Sequence, residues 1–389
     1  MDKKNLLIAI DPGYDQYKVV INNTWFAFPS TIIKVEEEHE GLGKRSGNFY
    51  YYSDDNRIFL FGSAAENQLS NTRSVKDNQE LLDLNKSNER FQTGYFKFSI
   101  EAALAYSLFL YENSNEGKKS QFTLAELNDY NTYIGIALPH DHLKKDFPKI
   151  KEYLICKHDF KFQVAGIMSK PFTFDFDLST AKIIGNSQAV CAFLHQSLND
   201  DLTDDEDYSE ELPCLVYDAG YKTVGRFLLG EDLHPYAAES NTEFAMYNTY
   251  KDVANRVNEL LPNKKFEAYR VQKYLKDKKT VNGEDMNGSP KTYSLEPFFQ
   301  EELEKTCMAA CDDLKNKWAT DLEDSKMFLL AGGTGAAYYP YFTNYMKKNY
   351  PGIKVVLADK PYLGKKIEPI FAISIGMMKF LRMKLAGTR

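Results

Sequence analysis

Three apolar residues, Ile8, Ala9 and Ile10, run into Asp11-Pro12-Gly13, and after a short polar turn the chain is β-branched again at Val19, Val20 and Ile21. The pattern predicts strand, tight turn, strand. Residues 25–29 stay β-rich, whereas residues 34–95 are polar and turn-rich, with short strands predicted at 48–52 and 57–61. Apolar Ile100, Ala103, Leu104 and Leu108 recur at helical spacing and predict a helix over 97–112. A strand at 133–138 ends at Pro139, a helix follows over 143–155, and alternation through 161–177 puts Phe172, Phe174 and Phe176 on one strand face. The next helix is predicted over 180–198 and ends in an Asp/Glu-dense run, 199–211, which reads as a solvated loop and a domain boundary. Beyond it lies a second strand, turn, strand at 215–225, then helices at 242–261, 266–277 and 296–319, with a Gly-, Asn- and Lys-rich loop over 278–293. The chain closes with a buried strand at 327–330, a glycine turn at 331–335, a helix to about 348, a strand at 353–358 and a helix from about 369.

At 389 residues the chain exceeds one ordinary core, so two or more domains are expected. A hydrophobic fraction of 43% with 26% charged residues describes a soluble globular protein. The net charge of −7 leaves no basic surplus to neutralise phosphates, which argues against direct nucleic-acid or anionic-membrane binding. DNA, if it matters, is reached through another protein. The start, MDKKNLLIAI, flows straight into the first turn and reads as a strand rather than a signal peptide, and no apolar run approaches a membrane span; a cytoplasmic protein is expected. Five cysteines (Cys156, Cys191, Cys214, Cys307, Cys311) follow no zinc or disulfide spacing, and Cys307 and Cys311 read as buried thiols on a helix. His140 and His142, after Pro139, read as surface residues of a loop.

The two hairpins set the chemistry. IAIDPGYDQYKVV and LVYDAGYKTVGRF each carry an Asp at the end of a buried strand, one spacer, a Gly and a Tyr, then re-enter a strand. An internal repeat of about two hundred residues follows. Two such turns facing each other across a cleft would pinch a polyphosphate between backbone N–H groups, with Asp11 and Asp218 holding Mg2+ through water. Lys18 adds a compensating positive charge. A third element, Leu329-Leu330-Ala331-Gly332-Gly333-Thr334-Gly335, opens a helix through consecutive glycines, so that a flat ring or a phosphate can approach the backbone. It is neither a P-loop nor a dinucleotide fingerprint, because no Gly-Lys-Ser/Thr and no strand-to-helix G-x-G-x-x-G is present.

Taken in order, D11-P-G-Y-D-Q-Y-K18, Q188-A-V, D218-A-G-Y-K-T223, G332-G-T-G and F371-A-I-S-I-G376 resemble the actin-type ATPase superfamily, and within it the plasmid-segregating bacterial actin-like proteins of the ParM group. The resemblance spans nearly the whole chain. It implies an α/β actin-like fold: two duplicated α/β domains, mixed sheets flanked by helices, with a nucleotide cleft between them and a smaller inserted subdomain in each. Domain I would be 1–185 with 369–389, carrying an insertion at about 31–95; domain II would be 186–368, carrying a helical insertion at about 242–320. The resemblance further implies that Asp11, Gly13, Tyr14, Asp15, Gln16 and Lys18 form the first phosphate loop, that Asp218, Gly220, Tyr221, Lys222 and Thr223 form the second, and that Gly332, Gly333 and Thr334 pack against the adenosine. Gln188 would orient the attacking water, with Asp11 and Asp218 as its catalytic companions. The chain departs from the family at Tyr221 and Lys222, where small residues are usual, and at Val224-Gly225, where an acidic residue is common.

The resemblance implies a filament-forming nucleotidase for ATP or GTP with Mg2+, whose partners would be its own copies and a small DNA-binding adaptor on a plasmid centromere-like site. The competing reading is a metabolic kinase of the same superfamily, which needs a carboxylate base where this chain has Gln188. A non-enzymatic scaffold is a further alternative, against which the two intact aspartates weigh.

Overall fold

The computed structural model describes residues 3–35, 47–53, 57–68, 89–263 and 265–387. Contacts divide the chain into two compact units, residues 1–205 with 360–389 and residues 206–359.

In the first unit the opening hairpin is β1 (Lys4–Pro12) and β2 (Gln16–Ile21), continued by β3 (Thr24–Pro29). The smaller sheet begins with β4 (Ile32–Val35), β5 (Phe49–Tyr52) and β6 (Ile58–Phe61). Later strands are β7 (Tyr130–Leu138), β8 (Lys157–Val164), β9 (Phe172–Asp177) and β10 (Lys182–Ser187). They form a mixed sheet in the order β10-β7-β1-β2-β3 and a second sheet in the order β4-β6-β5-β8-β9. β1 is antiparallel to β2 and parallel to β7, so Ile8 and Ile10 are buried and Asp11 comes to the end of a covered strand. The helices Gln188–Ser197 and Ala372–Ala386 pack together behind this sheet, with the Cys191 thiol 3.6 Å from Met377 Sδ.

The second unit repeats the plan. Its strands are β11 (Cys214–Ala219), β12 (Val224–Leu229), β13 (Pro235–Asn241), β14 (Thr280–Glu284), β15 (Pro290–Ser294), β16 (Met327–Ala331) and β17 (Lys354–Leu357). The main sheet runs β13-β12-β11-β16-β17, again a hairpin and a third antiparallel strand on one side and two parallel strands on the other. The repeat read from two short turns therefore extends to whole sheets of the same strand order and sense.

Several expectations differ from the structure. The stretch at 180–198 is not one helix: Lys182–Ser187 is a strand, because Ile183 and Ile184 add to β7 in parallel register, and the helix starts only at Gln188. The 278–293 loop is a hairpin, β14 and β15, turning through Asp285-Met286-Asn287-Gly288, where the Asp285 carboxylate accepts from the Asn287 and Ser289 amides. His140 and His142 lie on a short helix, His140–Lys145, and His142 Nδ1 meets the buried Asp146 carboxylate. β13 was not read from the sequence. The expected boundaries at 185/186 and 368/369 differ from the observed 205/206 and 359/360, because the Gln188 helix packs against the closing helix of the first unit. The insertion expected at 31–95 supplies β4, β5 and β6, but β8 and β9 complete its sheet from 157–177; its residues 36–46, 54–56 and 69–88 lie outside the described residues. In the second unit the insertion holds the helices Met246–Leu260, Ala268–Lys276 and Glu296–Lys317 as well as the hairpin.

Candidate functional site

The first turn is built by the β1–β2 register, which sets Asp11 opposite Lys18. Asp11 is only 2% exposed, and such a carboxylate needs partners for its lone pairs. Lys18 Nζ lies 3.3 Å from Oδ2, and Gln188 Nε2 donates to Oδ1 at 2.8 Å. An ionised carboxylate only accepts, so the Gln188 amide must face it through nitrogen, which leaves its carbonyl oxygen as the acceptor for another group. Residues 177 positions apart thus meet at one carboxylate.

Gly13 donates to the Asp11 carbonyl at 3.0 Å, and a Cβ there would lie 2.6 Å from the Gln16 carbonyl oxygen and 2.7 Å from Lys18 Nζ. No side chain fits. Ser30 ties down the far side: its hydroxyl donates to the Tyr14 carbonyl at 2.6 Å and its amide to the Asp15 carbonyl at 2.8 Å. Gln16 is half-buried at the start of β2. Arg90, which no sequence feature marked, reaches the same turn and donates to the Pro12 and Gly13 carbonyls. Its guanidinium stacks 4.0 Å from the centre of the Tyr14 ring. Burial pushes the Tyr14 phenol up and the Arg90 cation opposes that shift; the neighbouring Tyr17 is pushed up to about 12 by burial.

In the second unit Asp218 is the penultimate residue of β11, opposite Gly225 on β12 and Ala331 on β16. Asp218, Gly220, Tyr221, Lys222 and Thr223 are all half-buried, and Gly220 donates to the Thr223 carbonyl at 2.9 Å to close the turn. Gly332 adopts φ +81°, where a Cβ would lie 2.5 Å from the Ala219 carbonyl oxygen and 3.3 Å from Asp218 Oδ1. Glycine is required there both by conformation and by space. The buried Thr334 donates to the Gly220 carbonyl at 3.0 Å, so the glycine turn and the second hairpin are one construction. The helix Gly332–Asn349 begins behind Ala331 with no side chain capping its first amides, and Gly333 is exposed there. Tyr221 uses its bulk in packing: its ring lies 5.8 Å from Tyr247 and 6.2 Å from Tyr250, on the helix Met246–Leu260.

The structure therefore gathers Asp11, Gly13, Lys18 and Gln188 in one unit, and Asp218, Gly220, Gly332 and Thr334 in the other. Among the described residues no cluster of three or more His, Cys, Asp or Glu could hold a metal by itself.

Residues 9–174 match the family described as the N-terminal domain of actin-like proteins. The solved structure of the actin-like protein Alp7A superposes with a TM-score of 0.68 at 17% identity, covering 98% of this chain and 97% of that one. The fold is that of the actin-like proteins. A 15-stranded ParM filament from Clostridium botulinum matches with a TM-score of 0.62 at 16% identity over 98% of this chain and 99% of that one. Bacillus thuringiensis ParM with ATP matches at 0.55 and 13% over 99% and 100%. No curated protein matches the sequence. The two Asp-x-Gly hairpins occupy equivalent places in the two main sheets, β1–β2 in one and β11–β12 in the other, and the glycine turn follows β16, the parallel neighbour of β11. No described helix is long and apolar enough to cross a membrane.

Proposed function

We propose that the chain is a filament-forming actin-like nucleotidase that binds and hydrolyses ATP or GTP with Mg2+. The observation that carries the reading is the Asp11–Gln188 hydrogen bond at 2.8 Å. It ties a carboxylate suited to a hydrated metal to an amide whose remaining oxygen accepts a hydrogen bond from water. Asp11 and Asp218 would hold Mg2+ through water; when bound, it would offset the charge of the phosphate chain. Gly13 and Gly220 let turn amides approach phosphate oxygens, Lys18 adds a cation, and Gly332, Gly333 and Thr334 offer a flat backbone surface to the base. Gln188 positions the attacking water, and no covalent nucleophile is needed.

Nucleotide drives assembly by binding one conformation of the chain better than another, and subunit contacts then adjust the helix that carries Gln188. The likeness to a protein that forms a 15-stranded ParM filament supports self-association as the output. Plasmid segregation through a small DNA-binding adaptor completes the reading and suits the net charge of −7. A small-molecule kinase on the same fold is disfavoured because Gln188 is a poor base.

Sedimentation and light scattering with Mg-ATP, Mg-GTP and no nucleotide test this directly. Nucleotide-dependent polymer is expected at tens of micromolar protein, and Gln188→Ala should assemble but release phosphate at least tenfold more slowly. Absence of any polymer together with phosphorylation of a small acceptor would sink the filament reading, and a normal phosphate-release rate would remove the role of Gln188.

A further inference from the structure

Arg90 is a buried cation whose hydrogen bonds go to backbone carbonyls rather than to a carboxylate. It is 2% exposed, and among the described residues it forms no ion pair. Its fork ends instead on two consecutive backbone carbonyls, with Nη1 donating to Gly13 O at 3.0 Å and Nη2 to Pro12 O. Three aromatic rings line the guanidinium, Tyr14 at 4.0 Å, Phe91 at 4.6 Å and Phe96 at 6.0 Å from its carbon. The residue is planted rigidly: its carbonyl accepts from the Thr93 hydroxyl at 2.7 Å, and Thr93 caps the helix Gly94–Asn113 through the Phe96 amide. A buried charge satisfied only by carbonyls and ring faces is costly, and a well-packed apolar residue would stabilise this position more readily.

The internal repeat supplies a control. In the second turn the carbonyl that matches Gly13 is also tied away from the turn, but by a neutral donor: Gly220 O accepts from Thr334 Oγ1 at 3.0 Å, while the next carbonyl is held by a neutral donor in both turns, Tyr14 O by the Ser30 hydroxyl at 2.6 Å and Tyr221 O by the Tyr247 amide at 2.8 Å. Restraining the carbonyls is thus common to both turns, whereas the buried cation belongs to the first. A trans peptide directs its N–H opposite its C=O, so the Gly13 carbonyl bond also sets the direction of the Tyr14 amide.

We propose that Arg90 is a positioning residue for the Pro12–Asp15 turn, fixing its peptide planes and adding positive potential behind them so that the turn discriminates in favour of the nucleotide with the longer phosphate chain. The inference rests on the nucleotide reading of this turn. The bidentate contact orients, and the charge selects, because each added phosphate oxygen feels a cation that a neutral donor does not provide.

The test uses the full chain and its Arg90→Lys and Arg90→Met variants. Apo thermal unfolding is recorded for each, together with dissociation constants for Mg-ATP, Mg-GTP, the matching diphosphates and the free nucleosides. For Arg90→Met, triphosphate affinity should fall at least tenfold, diphosphate affinity less, and nucleoside affinity should not change. Arg90→Lys keeps the charge but reaches one carbonyl only, and should fall between wild type and Arg90→Met in its preference for triphosphate over diphosphate. If Arg90→Met does not fold, Arg90→Lys decides: triphosphate affinity equal to wild type, or equal losses for triphosphate and nucleoside, overturns the proposal. A wild-type chain that binds no nucleotide and is indistinguishable from Asp11→Ala overturns the nucleotide reading itself, and that result is distinct from a wild type that binds while Arg90→Lys matches it.

Discussion

Gly376 lies inside the closing helix Ala372–Ala386, on the face that meets the helix carrying Gln188. A Cβ at this position would stand 1.7 Å from the Cys191 carbonyl oxygen and 2.5 Å from its carbonyl carbon. Both are backbone atoms of a buried helix, so no rotamer change relieves the overlap. Gly376→Ala must push the two backbones apart by roughly 1.5 Å to regain ordinary contact in an interior packed like a crystal. Overpacking of this kind costs about 3 kcal/mol at the upper end of its usual range. Against it stands the intrinsic preference of a helix interior for alanine over glycine, about 1 kcal/mol. The steric term wins, and a net loss of about 2 kcal/mol is expected. For a unit of this size that corresponds to a fall in Tm of roughly 4–8 °C. The shift should also pull Gln188 off Asp11, since their 2.8 Å bond sits at the start of the displaced helix. Calorimetry and urea unfolding would be run beside Gly352→Ala, where nothing lies within 4 Å of the added methyl and no change is expected. A Gly376→Ala protein as stable as wild type, or more so, would mean that helix propensity dominates and that the two helices do not touch there.

Two further outcomes follow from buried groups. Lys379 is fully buried, donates to the His195 carbonyl at 3.0 Å and the Leu198 carbonyl at 2.7 Å, and burial, aided by nearby Lys360, lowers its pKa from 10.5 to about 8. Between those two values the unfolded chain holds the proton more tightly than the folded one, so this group makes stability rise with pH across the window and imposes its full penalty below pH about 8. The stability difference between wild type and Lys379→Met should therefore move in favour of wild type by roughly 2–3 kcal/mol from pH 7.5 to 10.5, read by urea unfolding, and a flat difference would contradict it. Gly332→Ala should destabilise the second unit by about 2 kcal/mol, from the positive φ and the clash with the Ala219 carbonyl together, and an unchanged urea midpoint would show that the 331–335 turn is not built against β11.

What the sequence revealed and what it hid divide along a physical line. Asp11, Gly13, Lys18, Asp218, Gly220 and Gly332 were legible because a strand end, a turn and a glycine are local events, and a second copy of the hairpin raised their meaning. The strand at Lys182–Ser187 was missed because its short apolar core is compatible with helix or strand, and only parallel pairing with β7 decides between them. Arg90 was invisible for a different reason. It sits at the end of a polar stretch that reads as surface, and the atoms it binds, 77 and 78 positions away, are backbone carbonyls. Carbonyls carry no residue identity, so no motif records them. The same holds where Lys379 and Lys360 end the Gln188 helix: Lys379 binds the carbonyls of His195 and Leu198, and Lys360 those of Gln196 and Leu198 as well as Asn199 and Asp205. Cations at a helix C-terminus are favourable in general, yet these two come from the far end of the chain. Asp205 and Lys360 are also the last residue leaving the first unit and the first returning to it. One ammonium therefore binds both crossover segments to the end of the helix whose other end presents Gln188 to Asp11, and any strain at the crossovers has a covalently short route to that amide.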